Sequence, residues 1–268
     1  MAIKISLPQY CETEIVSVER PKWSYHYGYS RSTEARESED IGQDFLTFFE
    51  EKDYVSFAIC DGISMSYYGD FASSFLGESL LQWLLTIDEA EVETEALSAH
   101  LHTYLLDKAK EADERLKDHQ IPTYIKGMLR DVLLSKKKLG SGSIYGCGRI
   151  DWPCEAYPEG RIVLAWQGDI RIRLWSEGHE RKGLFGNRFH TREQWNSVSG
   201  PVGGSPHTYV GDLLGLGSEG GLLLYSDGLQ ALDSMEQVLP EEMSSTIRSE
   251  SLNLSSDDMS IFQVQWHL

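Results

Sequence analysis

Acids recur in this chain at the ends of apolar runs, and that placement is a chemical signal. Asp61 follows "FAIC", Asp227 follows "LLLYS", Asp44 precedes "FLTFF", and Asp257 with Asp258 precedes "MSIFQV". If each run is a strand and these ends meet at one edge of a sandwich, several carboxylates share one concave spot. Like charges about 4 Å apart repel by roughly 4 kcal/mol per pair at an effective dielectric of 20, so such a cluster calls for cations. Oxygen-only donors of this hardness suit Mg²⁺ or Mn²⁺, whereas zinc prefers the His and Cys absent from these positions. Two such ions lower the pKa of a shared water toward neutrality and orient it for in-line attack on phosphorus. A single Asp-Gly after a strand is more often a plain turn. Here the pair occurs twice after apolar runs, at Asp61-Gly62 and Asp227-Gly228, each time before helix-like sequence.

The elements that must position these acids are written in the periodicity. In "DYVSFAICDG", Val55, Phe57 and Ile59 alternate with Ser56, Ala58 and Cys60, so both faces can be buried and the run reads as a central strand. Phe71, Phe75, Leu76, Leu80, Trp83 and Leu84 then fall at helical spacing, predicting a helix over 70–85 with Asp70 as its N-cap. Leu97, Leu101, Leu105, Ala109, Ala112 and Leu116 form a second helical stripe, broken at Ile121-Pro122, and another helix is expected over about 123–136. The acids at 88 to 95 read as a solvated helix start. From residue 140 the period becomes two. Ile162, Leu164 and Trp166, a turn at 167–169, and Ile170, Ile172 and Leu174 read as a β-hairpin. Residues 178–218 hold many Gly, Ser and Pro with little periodicity, as a surface excursion covering a site does. "GGLLLYSDG" and "DDMSIFQVQWHL" supply two more strands. No repeat or linker divides the chain, so 1–268 is expected to be a single domain.

Composition narrows the function classes. A formal charge of −18 opposes nucleic acid and anionic lipid, and the run Lys136 to Lys138 is too short to reverse it. No apolar stretch is long enough for a membrane span or a signal peptide. The four cysteines, at 11, 60, 147 and 154, contain no Cys-x-x-Cys pair, which fits a reducing cytoplasm, and Cys60 reads as a small core residue. Tyr67-Tyr68 follow the Asp-Gly loop and serve either to line a substrate groove or simply to pack.

Taken in order, "GQDFL" (42–46), "FAICDGIS" (57–64), "GSGSI" (140–144), "VLAWQGDIRI" (163–172), "LLLYSDGLQAL" (222–232) and "SDDMSIFQV" (256–264) resemble the metal-dependent protein phosphatases of type 2C, and "DGISMSYYGDFASSFLGESLLQWL" is similar to a bacterial branch of that family. The resemblance implies an α+β fold, a four-layer αββα sandwich of two antiparallel sheets flanked by helices. It implies two Mg²⁺ or Mn²⁺ ions at one edge and hydrolysis of phosphoserine and phosphothreonine in proteins without a phosphoenzyme. Asp61 would then bridge both ions, the carbonyl of Gly62 would ligate one, Asp44 would serve the ion near Gly62, and Asp227 and Asp257 would complete the other. Asp61 and Asp227 become the catalytic residues. Asp169 matches a position usually structural and is read as a turn residue. A Ser/Thr kinase or its substrate becomes the natural partner, and 178–218 takes the place of the family's flap.

The chain also departs from the family pattern. Ile63-Ser64-Met65 stand where most members carry His-Gly-Gly, with His207 a distant substitute for the missing acid. Arg31 and Arg36 lie away from the usual phosphate-gripping position, Leu139-Gly140 replace an Asp that serves a third metal, and Asp258 replaces an Asn. Asp258 adds negative charge beside the site and would tighten metal binding. Two function classes follow: an active metal-dependent phosphatase, and a pseudophosphatase that keeps the fold as a phosphoprotein-binding or regulatory module.

Overall fold

The computed structural model describes residues 2–87 and 94–268, so the acids of 88–93 lie outside the described residues. Strands β1 (Ile3–Ser6), β2 (Thr13–Glu19) and β3 (Trp23–Ser30) lead to helix α1 (Thr33–Glu37), then β4 (Phe45–Glu51) and β5 (Tyr54–Gly62). Helices α2 (Gly69–Leu85), α3 (Thr94–Asp118) and α4 (Gly127–Leu139) follow. Next come β6 (Gly142–Asp151), β7 (Arg161–Gln167), β8 (Arg171–Ser176), β9 (His179–Glu180), β10 (Gln194–Asn196), β11 (Gly200–Val202) and β12 (His207–Asp212). The chain closes with α5 (Leu213–Leu216), β13 (Glu219–Tyr225), a 3₁₀ segment (Asp227–Ser234), α6 (Pro240–Glu250) and β14 (Met259–His267).

Among the described residues the strands form two antiparallel sheets. One runs β1-β4-β5-β6, with β6 pairing both β7 and β10, β7 continuing to β12 and β10 to β11; the other runs β2-β3-β14-β13-β8-β9. The apolar phase of each strand explains the layering. Val55, Phe57 and Ile59 of β5 point between the sheets to meet Phe262 and Leu224, while Ala58 and Cys60 on the other face pack under Leu76, Leu80 and Leu101 of α2 and α3. A third cluster seats Met243 of α6 on Leu223 and Ile261. Helix, sheet, sheet and helix therefore stack as the αββα sandwich. The predicted stripe from Leu97 to Leu116 is buried in full. No helix among the described residues is long and apolar enough to cross a membrane.

Four local expectations change. Residues 162–174 are not a hairpin: β7 lies in one sheet and β8 in the other, so the chain crosses the sandwich at 168–170. The alternation was real, since Ile162, Leu164, Trp166, Ile170, Ile172 and Leu174 all fill the inter-sheet core, from opposite sides. Asp70 is not the N-cap of α2; Tyr68, in the left-handed region, takes that place without a side-chain cap, and Asp70 sits in the first turn. The third helix begins at Gly127 rather than 123. The segment 178–218 is only partly a surface excursion, because β12 pairs with β7 from Arg161 to Trp166 and Trp195 of β10 is buried against α3.

Candidate metal and phosphate site

Strand register brings the acids to one edge. In the first sheet Phe45 pairs with Cys60 and Gly62 with Ser143, so the start of β4 and the end of β5 lie together. In the second sheet Tyr225 faces both Ile261 and Arg171, and Met259 faces Ser30, so the end of β13 and the starts of β8 and β14 share one end. Asp44, Asp61, Asp227 and Asp257 each stand at or just outside these ends. Antiparallel pairing gathers Asp44 with Asp61 and Asp227 with Asp257, and the packing of one sheet on the other, seen in the bond from Ser260 to Asp44, brings the two pairs to one edge.

Their electrostatics follow from this placement. Burial pushes the Asp44 carboxyl well above the usual carboxylate range, and the charge of Asp258, then of Asp257, pushes it further; the hydroxyls of Ser226 and Ser260 oppose this. Asp44 is only 1% exposed, and its Oδ2 accepts a bond from Ser260 Oγ at 2.8 Å. Asp61 is likewise raised well above the ordinary value, by desolvation first and then by Asp44, Asp227, Asp257 and Asp169. Asp227 is raised by burial, Asp257 and Asp169, while Arg171 pulls it down. In each case burial and like charge disfavour ionisation together. Among the described residues, no three Asp, Glu, His or Cys side chains stand close enough to hold an ion as they are.

The backbone around Asp61 is tightly packed. The Gly62 amide donates to the Gln43 carbonyl at 3.1 Å, and a Cβ on Gly62 would lie 2.3 Å from the Gly69 carbonyl oxygen, so only glycine lets α2 approach the end of β5 this closely. Beside it, Gln43 Oε1 is buried without a hydrogen-bond partner. Ser143 Oγ donates to the Asp61 carbonyl at 2.7 Å, fixing the strand end from the β6 side.

The structure also places residues whose roles were open. Asp169 lies within electrostatic reach of both Asp61 and Asp227, on the crossover between the sheets. It too follows an apolar run, so the signal that found the other acids was available for it. Arg171 contacts Asp169 and reaches Asp233, whose other oxygen accepts from Tyr225 at 2.6 Å. Asp258 accepts the backbone N–H of Ser32 at 2.6 Å and that of Gln43, so its carboxylate clamps two loops. Arg31 bonds Glu12 at 2.8 Å, and Arg36 bonds Thr33 and the Ser251 carbonyl. Ile63 turns toward Gly142 on β6. His207 is paired with Glu193 at 2.8 Å and packs on Trp166. His119 meets Tyr68 edge-to-face, and burial raises the carboxyl of nearby Asp70 above the usual carboxylate range. The two tyrosines divide their roles: Tyr67 is buried with Leu116 and Ile121, while Tyr68 lines the cleft next to the acids.

Comparison with known proteins follows the fold. A bacterial serine phosphatase superposes with a TM-score of 0.57 at 16% identity, over 91% of this chain and 97% of that one. RsbX in complex with magnesium gives 0.54 at 12% identity, over 94% and 99%. The catalytic domain of the serine/threonine protein phosphatase PstP, in complex with two manganese ions, gives 0.52 at 13%, over 92% and 99%. The sequence matches no protein-family model and no curated protein. At this level of identity the likeness shows a shared fold, the αββα sandwich that the type 2C resemblance implies.

Proposed function

We propose that the chain is a metal-dependent phosphatase that hydrolyses phosphoserine and phosphothreonine in proteins. The observation that carries this reading is the convergence of Asp44, Asp61, Asp227 and Asp257 from both sheets on one edge, where burial and like charge disfavour the charged forms of Asp44, Asp61 and Asp227. Shared fold with a serine/threonine phosphatase solved with two manganese ions supports the same reading.

The donor set fits hard divalent ions. It offers carboxylate oxygens, the Gly62 carbonyl, and a buried orphan amide oxygen on Gln43, with no thiolate or imidazole among them. Asp61 would bridge two Mg²⁺ or Mn²⁺ ions, Asp44 and Gly62 would serve one, and Asp227 and Asp257 the other. Because no described trio is close enough as it stands, binding requires these side chains to close inward. The ions, when bound, neutralise the carboxylates and the incoming phosphate and supply an acidified, oriented water. The chain's own contribution is placement. Ser260 and Ser226 hold Asp44, Ser143 holds the Asp61 backbone, and Asp258 ties Gln43 and Ser32 beside them.

A second reading, a phosphoprotein-binding pseudophosphatase, draws on one observation: Arg31 and Arg36 are both engaged in local bonds, leaving neither to grip phosphate. Hydrolysis of p-nitrophenyl phosphate and phosphopeptides with Mn²⁺, beside Asp61→Ala and Asp227→Ala, separates the two. Metal-dependent turnover abolished by both substitutions is expected. No turnover with any divalent ion selects the second reading, and activity indifferent to both substitutions removes the site assignment. Calorimetric titration with Mn²⁺, expected to show two sites in the unmodified chain, reads the centre independently of turnover. A Ser/Thr kinase or its substrate is the partner implied, in the reducing cytoplasm that the free cysteines fit.

A further inference from the structure

Beside the acid edge opens a cleft of about 770 Å³, with Asp257 in the wall it shares with the proposed centre. Its lining carries the carboxylates of Glu34, Asp40 and Asp70 and serine hydroxyls such as Ser64 and Ser256, but neither Lys nor Arg. The two arginines that flank this wall in sequence are held by other groups and pair with neither Glu34 nor Asp40 through their carboxylates: Arg31 bonds Glu12 and the Asp40 backbone carbonyl, and Arg36 bonds Thr33 and the Ser251 carbonyl. Glu34, on α1, and Asp40, just after it, make no side-chain hydrogen bond or ion pair among the described residues, so both carboxylates are available to a ligand.

A phosphate dianion approaching this edge meets acids on every side. Ions at the centre offset the acids around the phosphorus, yet no Lys or Arg in the cleft lining pairs with the carboxylates of Glu34 and Asp40. A substrate that carries its own cations there does, and one with acidic flanks sets like charges together. Resting on the phosphatase reading, we infer that the cleft selects phosphoproteins whose phosphorylated residue sits in a Lys- or Arg-rich segment, with Glu34 and Asp40 as the specificity-determining residues. Exposed ion pairs contribute on the order of 0.2–1 kcal/mol each. Two pairs gained against two repulsions therefore give a preference of about tenfold for a basic over an acidic flank. The preference falls in KM, because these contacts touch the flank and not the reacting phosphorus.

The test uses two phosphoserine peptides that differ only in flanking Lys or Glu, with p-nitrophenyl phosphate and Mn²⁺ as the flankless control on the unmodified chain. The expected result is about tenfold higher kcat/KM for the basic peptide, reduced toward parity in the Glu34→Gln/Asp40→Asn double variant and retained in the charge-conserving Glu34→Asp/Asp40→Glu variant. Because the whole chain carries a charge of −18, a second pair of neutralisations is needed at the opposite end of the sheet, Glu155→Gln/Glu159→Gln, and these are expected to leave the preference intact. Equal kcat/KM for the two peptides, or equal loss from both pairs of neutralisations, overturns the inference while turnover of p-nitrophenyl phosphate upholds the phosphatase reading. Absence of that turnover defeats the phosphatase reading instead. Calorimetric binding of the same two peptides then decides the cleft: tenfold tighter binding of the basic one, lost in the double variant, supports it, and equal binding overturns it.

Discussion

The two ends of strands β5 and β6 both gather carboxylates, and they treat them in opposite ways. At one end Asp151, opposite Tyr54, is 2% exposed and receives Arg149 Nε on one oxygen and Arg161 Nε on the other, each at 2.8 Å. Both guanidiniums are themselves buried, stacked on Tyr54 and Tyr157, and donate onward to the carbonyls of Leu84 and Ile87. At the other end Asp61, opposite Ile144, faces Asp44, Asp227, Asp257 and Asp169, and Arg171 is the cation that acts on Asp227. A buried charge that comes with its partners stabilises a particular packing, and its loss exposes those partners. A group of acids with Arg171 as a cation among them leaves an electrostatic demand that a bound cation would meet, which is why that end is the one we propose as the site.

The largest effect expected from breaking this contrast is on chemistry. Asp61→Asn keeps the side chain's shape, removes the proposed bridging charge, and is expected to lower Mn²⁺-dependent kcat/KM at least 1,000-fold, about 4 kcal/mol in barrier. Its unfolding temperature in EDTA should match or exceed that of the unmodified chain, because one member of a repelling group has gone. An inactive variant that is also strongly destabilised would mean that Asp61 is structural, as Asp151 is.

Asp151→Ala should do the reverse. Removing the shared acceptor strands two buried guanidiniums, and an uncompensated buried charge of this kind costs about 3–5 kcal/mol. Urea unfolding is expected to show that loss, while kcat of the folded fraction stays within about twofold, since the pair lies at the far end of the sheet. Third in size is the response to the ion. A ligand that binds only the folded state at 100 times its dissociation constant stabilises by about 2.7 kcal/mol. Mn²⁺ should therefore raise the unfolding temperature of the unmodified chain and of Asp151→Ala, and leave that of Asp61→Asn nearly unmoved. A uniform rise in all three would point to nonspecific cation binding by a chain of charge −18.

The same contrast separates what the sequence makes legible from what only the fold brings together. The stripe from Leu97 to Leu116 and the two faces of β5 follow from a single period within one element, so local spacing was sufficient. Strand β3 carries the same period of two, but its burial does not follow from it: "WSYHYGYS" alternates aromatic with polar or small residues, yet all eight are buried, because Tyr25, Tyr27 and Tyr29 fill the inter-sheet core while Ser24, His26 and Ser30 are covered on the other side. The false hairpin at 162–174 arose because alternation says which side chains go inward and nothing about which sheet holds the strand. At the site, strand-end position identified Asp44, Asp61, Asp227 and Asp257 as candidates. The reach of Asp169 and the clamp by Asp258 depend on segments far apart in sequence, residues 32, 43 and 258 among them, and no spacing encodes that.

The smallest predicted effect tests whether Asp258 belongs with the unpaired acids or with the satisfied one. Its charge is the leading electrostatic influence raising Asp44, which places it in the first group, and its two oxygens accept the backbone N–H groups of Ser32 and Gln43, which places it in the second. Asp258→Asn separates the two. The amide keeps one acceptor and turns a donor toward the other N–H, forfeiting a charge-assisted bond of roughly 1.5–3 kcal/mol. Against this, Asp44 is relieved of one repulsion, worth on the order of 1 kcal/mol through a partly solvated edge. The bond outweighs the relief, so the variant is expected to unfold in EDTA about 1 kcal/mol more easily than the unmodified chain, with Ser32 and Gln43 amides exchanging faster. A variant more stable than its parent would show that repulsion dominates at this position, and would move Asp258 from the scaffold into the group of acids that awaits a cation.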